Sequence, residues 1–142
     1  MSGDGSAIRA AERGDVAAVL KLWATDRSGH ASQPDTAEAV ERLLADRPGA
    51  LLVAELNEHI VGALIAASDG WRGNMYRLTV APSFRRRGIG LALVREGERR
   101  LRAGGTPRIT ALVAHDDEVA CALWSAAGYA LDREIVRFVR NI

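Results

Sequence analysis

Apolar positions along this chain recur with a helical period in some stretches and as continuous or alternating runs in others. Ala7 to Ala11 reads as a short strand after a small, polar tail over residues 1–6. Asp15 is a good N-cap, and Val16, Val19, Leu20 and Trp23 then recur at helical spacing. Pro34-Asp35 opens a second helix, in which Asp35 and Glu38 have capping-box spacing, Val40 and Leu44 face inward, and Pro48-Gly49 ends the run. Ala50 to Leu56 and His59 to Ala67 read as strands joined by a tight turn at Asn57-Glu58, and within them Leu51 to Ala54 and Ile60 to Ala67 are nearly continuous apolar runs. Such runs mark strands buried on both faces, as in a sheet covered by helices. Asp69-Gly70-Trp71-Arg72-Gly73 is a turn, and Met75 to Val80 is the next strand, stopped by Pro82. Leu91 to Arg102 is a long helix with an inward stripe through Val94, Gly97 and Leu101, where Gly97 predicts close packing on the sheet. Ile109 to Ala114 is a strand, and Asp117 to Ala127 is a helix closed by Gly128. Ile135, Arg137 and Val139 then alternate with Val136, Phe138 and Arg140, which predicts a final strand. The order predicts one α/β domain over residues 1–142.

The loop Arg85-Arg86-Arg87-Gly88-Ile89-Gly90 sits between a strand and a helix start. The first turn of a helix has backbone N–H groups without intrahelical partners, and the helix dipole adds partial positive charge there. Glycines at 88 and 90 are read as letting a phosphate approach the backbone, and the arginines stay charged at any working pH. A P-loop is excluded because Leu91-Ala92 stand where Lys and Ser or Thr are needed. The dinucleotide fingerprint is excluded because Leu93 stands at its third glycine.

Composition narrows the partner. The 142 residues are 48% hydrophobic and 26% charged, with a net charge of +1, so no global field recruits nucleic acid. The basic loop is local, which favours a small anionic ligand. Cys121 is the sole cysteine, which rules out an internal disulfide and a cysteine-based metal framework. The start has no apolar leader and no apolar run is long enough to span a bilayer, so a cytoplasmic protein with no membrane partner is expected.

The motif Arg85-x-x-Gly88-x-Gly90 resembles the pyrophosphate-binding signature of the GCN5-related N-acetyltransferases (GNAT), and Tyr76-Arg77-Leu78-Thr79-Val80-Ala81-Pro82 precedes it in the family manner. Ala120, Leu123, Gly128 and Tyr129 fit the family's Asn-x-x-Ala-x-x-Leu-Tyr-x-x-x-Gly-Phe pattern, while Asp117 replaces its Asn and Trp124 its Tyr. The turn at residues 69–73 is shared with the small bacterial YpeA-like members. The resemblance implies a mixed, mostly antiparallel twisted sheet flanked by about four helices, splayed between its fourth and fifth strands. It implies acetyl-CoA as co-substrate, an amine acceptor, no metal, and a monomer or homodimer. Cofactor contacts are expected from Leu78, Thr79, Val80, Arg85, Arg86, Arg87, Gly88, Ile89, Gly90, Leu91, Asp117, Ala120 and Trp124, with the pyrophosphate on the N–H groups of residues 86–91. Asp117, Cys121 and Trp124 share a helix face that would meet the pantetheine and thiol.

The departures bear on the chemistry. An indole has no useful acidity near neutral pH, so Trp124 would pack against the thioester without acting as acid. Asn74 stands where one subgroup of the family has a Glu base. His115 is the candidate base, because it follows the strand expected to line the acetyl site and its ordinary pKa suits the task; a surface turn histidine is the alternative. His30 is a second candidate, Asp69 reads chiefly as a turn residue, His59 as solvent-exposed, and Cys121 as a structural thiol. An N-acetyltransferase is the leading reading, with a non-catalytic acyl-CoA-binding module as the alternative.

Overall fold

The computed structural model describes residues 5–25 and 34–142. His30 therefore lies outside the described residues. The elements are β1 (Ala7–Ala10), α1 (Val16–Ala24), α2 (Ala37–Asp46), β2 (Leu51–Leu56), β3 (His59–Ser68), β4 (Gly73–Val80), α3 (Ile89–Ala103), β5 (Ile109–Ala111) and α4 (Glu118–Ala126), with single 3₁₀ turns at Arg13–Asp15 and Pro82–Phe84. The sheet runs in the order β1-β2-β3-β4-β5. All neighbours are antiparallel except β4 and β5, which are parallel.

The continuous apolar runs are buried on both faces, as expected. Alternate residues of β2 go to opposite sides: Leu52 and Ala54 join Leu64, Met75, Leu93 and Val94 under α3 and α4. Leu51 and Val53 join Ala63, Ile65, Val19 and Trp23 under α1 and α2. Gly97 lets α3 lie close to the sheet, because a Cβ there would sit 2.6 Å from the Met75 Cε and 3.2 Å from the Ala66 Cβ. Asn57 and Glu58 have φ of 50° and 66°, the two left-handed positions of a two-residue hairpin turn. Among the described residues, no helix is long and apolar enough to cross a membrane.

Four expectations are corrected. Ser6, assigned to the tail, is fully buried. Asp15 does not cap α1: its carboxylate accepts from Arg9 at 2.7 and 3.0 Å and from the Glu12 N–H. A charged donor within reach outcompetes a cap. The second helix starts at Ala37, capped by the Thr36 hydroxyl, which accepts from the Ala39 N–H; Asp35 is drawn away by an ion pair to Arg77. The final strand is not formed. Residues 130–142 carry no helix or strand and are exposed throughout. Alternation marks a segment as fit for a sheet, but a strand also needs a neighbouring edge to pair with.

Candidate active site

The site begins with an irregularity in β4. Opposite β3, Ile65 pairs with Tyr76 and Ala63 with Thr79, so Leu64 alone faces Arg77 and Leu78. This is a β-bulge. It puts Tyr76 and Arg77 on the α1 side in succession, while Met75 and Leu78 stay on the α3 side. Strict alternation would have driven the Arg77 guanidinium into the core beside Met75. Arg77 has φ of 59°, a strained value for a residue with a long side chain. Three contacts hold it. The Trp23 indole N–H donates to its carbonyl at 3.1 Å, its guanidinium lies 4.7 Å over the Trp23 ring, and it pairs with Asp35. Its Nε is buried with no hydrogen-bond partner among the described residues, so the ring face and the carboxylate carry the desolvated charge.

Beyond the bulge the sheet opens. β4 and β5 pair only at Gly73–Ile109, Asn74–Thr110 and Met75–Ala111, with a last bond from the Leu112 N–H to the Met75 carbonyl. The rest of β4, from Tyr76 to Val80, has no pairing on that side. This is the expected splay. It also shortens the fifth strand, which ends at Ala111 and not at Ala114.

The arginine-glycine loop closes one end of the splay. Arg85 Nε donates to the Val80 carbonyl at 3.1 Å, which ties the loop to the end of β4. Arg87 lies 5.1 Å over the Phe84 ring. Gly88 is the N-cap of α3, with φ of 81° and no heavy atom within 4 Å of where a Cβ would stand. No side chain caps the helix, and its first backbone bond runs from the Ala92 N–H to the Gly88 carbonyl. The N–H groups of Ile89, Gly90 and Leu91 are thus left for an outside acceptor. Gly90 also has a packing task. It is buried, and a Cβ would meet the Leu123 Cδ1 at 2.8 Å, so its missing side chain admits α4.

On the other side of the splay, α4 is held against the end of β5. The Asp117 carboxylate caps the helix, accepting from the Ala120 N–H at 3.0 Å, and the Cys121 thiol reaches the Ala114 carbonyl at 3.7 Å. Asp117 is thereby engaged locally. Trp124 is 5% exposed, inside the core, and meets Tyr129 edge-on at 4.9 Å. Leu78, Val80, Val113 and Ala120 pack against the same core, and Thr79 is buried on β4.

Both tyrosines have phenols raised above their ordinary pKa. Burial raises the Tyr129 phenol, and its hydrogen bond to Glu98 at 2.7 Å raises it further. Burial alone raises Tyr76. His115 is exposed in the turn between β5 and α4. Asp69 is a turn residue, as expected: its carboxylate accepts from the Arg72 and Trp71 N–H groups, which lower its pKa. His59 is exposed at the start of β3. The cluster of Trp23, Arg77 and Asp35 was not read from the sequence. Its one signal was a cation inside an otherwise apolar strand, Met75-Tyr76-Arg77-Leu78.

Residues 16–129 match the family model described as "Acetyltransferase (GNAT) family". The chain belongs to the GNAT family of acetyltransferases. It is 37% identical over 123 residues to an acetyltransferase of Pectobacterium atrosepticum, covering 86% of each chain. Its fold is similar to that of Ard1 from Thermoplasma volcanium, with a TM-score of 0.80 and 19% identity over 89% of this chain and 84% of that one. It is also similar to that of the aminoglycoside N-acetyltransferase AAC(6')-Iy in complex with CoA, with a TM-score of 0.76 and 18% identity over 96% and 95%. An acetyltransferase of the GNAT family thus frames the splay and loop described above.

Proposed function

We propose that this GNAT protein moves an acetyl group from acetyl-CoA to an amine, by direct attack within a ternary complex. The observation that carries this is the uncapped N-terminus of α3, opened by Gly88 and set beside the splay between β4 and β5. The pyrophosphate would lie on the N–H groups of residues 86–91, with Arg85, Arg86 and Arg87 adding charge. The pantetheine arm would enter the splay and pair with the unpaired side of β4 at Leu78, Thr79 and Val80, as an added short strand. A β4 N–H near Val80 would polarise the thioester carbonyl.

The amine attacks as the neutral base, so its ammonium must first lose a proton. His115 is assigned that task, directly or through water. The C–N bond forms, the C–S bond breaks, CoA leaves as a thiolate, and the second proton of the attacking nitrogen passes to that thiolate or to water. A CoA thiolate is a tolerable leaving group, so its release need not await an acid, and the indole at position 124 would pack beside it.

Release of free CoA is measured with acetyl-CoA and a panel of amines. The panel holds an aminoglycoside, the acceptor class in the name of one structural neighbour, along with a polyamine, a lysine peptide and a peptide with a free N-terminus. Amine-dependent CoA release supports the proposal. Tight acetyl-CoA binding with no release against any class would make the protein a non-catalytic acyl-CoA-binding module.

A further inference from the structure

The hydrogen-bonding phase of β4 changes at its bulge, and that change decides which backbone groups face the splay. Before the bulge the Met75 carbonyl accepts from the Leu112 N–H, so Met75 turns to β5 and Tyr76, opposite Ile65, turns to β3. After the bulge the Ala81 N–H donates to the Val61 carbonyl. Ala81 and Thr79 therefore turn to β3, and Leu78 and Val80 turn to the splay. Two residues, Arg77 and Leu78, stand between Tyr76 and Thr79 where alternation allows one. A regular β4 would present Arg77 and Thr79 to the splay in place of Leu78 and Val80.

The Arg77–Leu78 peptide absorbs the extra residue, and Trp23 holds it there. Arg77 takes a φ of 59°, and its carbonyl accepts from the Trp23 indole N–H at 3.1 Å. The peptide is trans, so its N–H points opposite to its carbonyl. A bond that fixes the carbonyl on the α1 side thus fixes the Leu78 N–H away from it, toward the splay. Trp23 is a firm anchor: it is 3% exposed and packed with Val19, Leu51 and Val53. The Arg77 guanidinium is held separately, over the face of the same ring and on the Asp35 carboxylate. The ring therefore holds the side chain, and its single N–H holds the peptide.

We propose that Trp23 is a positioning residue for the thioester: its indole N–H locks the Arg77–Leu78 peptide, which aims the Leu78 N–H at the carbonyl of bound acetyl-CoA. The inference rests on acetyl-CoA lying in the splay, as proposed above, and adds to that reading a residue of α1. A left-handed φ is unfavourable for arginine. Once the indole bond is gone the peptide turns, and the Leu78 N–H swings from its place. A donor stabilises a developing oxyanion well only when it is held in position beforehand.

The test is Trp23→Phe, which keeps a ring beneath the guanidinium and removes the N–H. The direct readout is the carbonyl stretch of bound acetyl-CoA labelled with carbon-13 at the thioester, taken by infrared difference spectroscopy in the absence of any amine. A hydrogen bond to that carbonyl lowers its frequency, so the stretch should lie higher and broader in the Phe variant than in the parent. With the most active amine of the panel above, kcat should fall roughly tenfold to a hundredfold, while the amine KM and the acetyl-CoA affinity stay within about twofold. Should the Phe variant fail to fold, 3-benzothienylalanine at position 23 has the shape of the indole without its N–H and should give the same two changes. An unchanged stretch in a folded variant that binds acetyl-CoA overturns the proposal, whatever happens to kcat, and leaves Trp23 a core residue only. If the parent releases no CoA to any amine, the acetyl-transfer reading fails, and the stretch still decides the role of Trp23. A parent that does not bind acetyl-CoA overturns both.

Discussion

Gly88 gives the sharpest test of the proposed phosphate cradle, because three substitutions there separate conformation, bulk and charge. Its φ of 81° is left-handed, and space around its missing Cβ is open. Gly88→Ala forces a Cβ into that conformation at a cost of about 1–2 kcal/mol. It should therefore lower thermal stability modestly and weaken CoA through the added methyl. Asn and Asp both tolerate the left-handed region, and they have the same shape. Gly88→Asn and Gly88→Asp therefore differ in little but one negative charge.

That difference can be sized. A carboxylate about 5 Å from one phosphate charge is repelled by about 0.8 kcal/mol in water and by about 3.3 kcal/mol at an effective dielectric constant of about 20. Gly88 is exposed, so the lower figure governs, and the two charges of a pyrophosphate give about 1.7 kcal/mol. The Asp variant should bind CoA roughly tenfold to thirtyfold more weakly than the Asn variant. Isothermal titration at low ionic strength measures this, and the gap should shrink as salt is added. Equal affinities in two folded variants would refute a pyrophosphate at this turn.

Trp124 fills the core, so Trp124→Ala should cost about 3–5 kcal/mol in urea unfolding, whereas Trp124→Phe should keep most of the turnover; a comparable loss of turnover in a folded Phe variant would make the indole N–H essential. His115→Gln should flatten the rising limb of the kcat/KM pH profile and leave acetyl-CoA affinity unchanged; a limb that persists belongs to the amine or to another base. The Arg9 guanidinium holds the Asp15 carboxyl below its ordinary value. A depressed carboxyl stabilises the fold above its unfolded pKa of about 3.9, and that contribution is lost as pH falls through the folded value. The melting temperature of Asp15→Asn should therefore lie below that of the parent at neutral pH and converge with it in acid, and a constant gap would show that the ion pair is not the cause.

What could be read from sequence was whatever burial decides locally. Leu51 to Ala54 and Ile60 to Ala67 are apolar at every step because both faces of β2 and β3 are covered, and Gly97 is small because Met75 and Ala66 press against α3. What could not be read depends on partners distant along the chain. Asp15 has the type and place of a helix cap, but Arg9 competes for it; Asp35 has the spacing of a capping box, but Arg77 claims it. Gly90 looks like a phosphate glycine, and its missing side chain is also the seat of Leu123. Arg77 shows the limit most clearly. Alternation along β4 assigns it to the core, where its charge would be uncompensated. The bulge turns it to Trp23 at the cost of a left-handed φ, and the indole N–H bond to its carbonyl fixes the peptide just where β4 parts from β5. A misfit residue in the strand and the opening of the sheet thus have a common origin, visible only once Trp23 and Asp35 are in place around it.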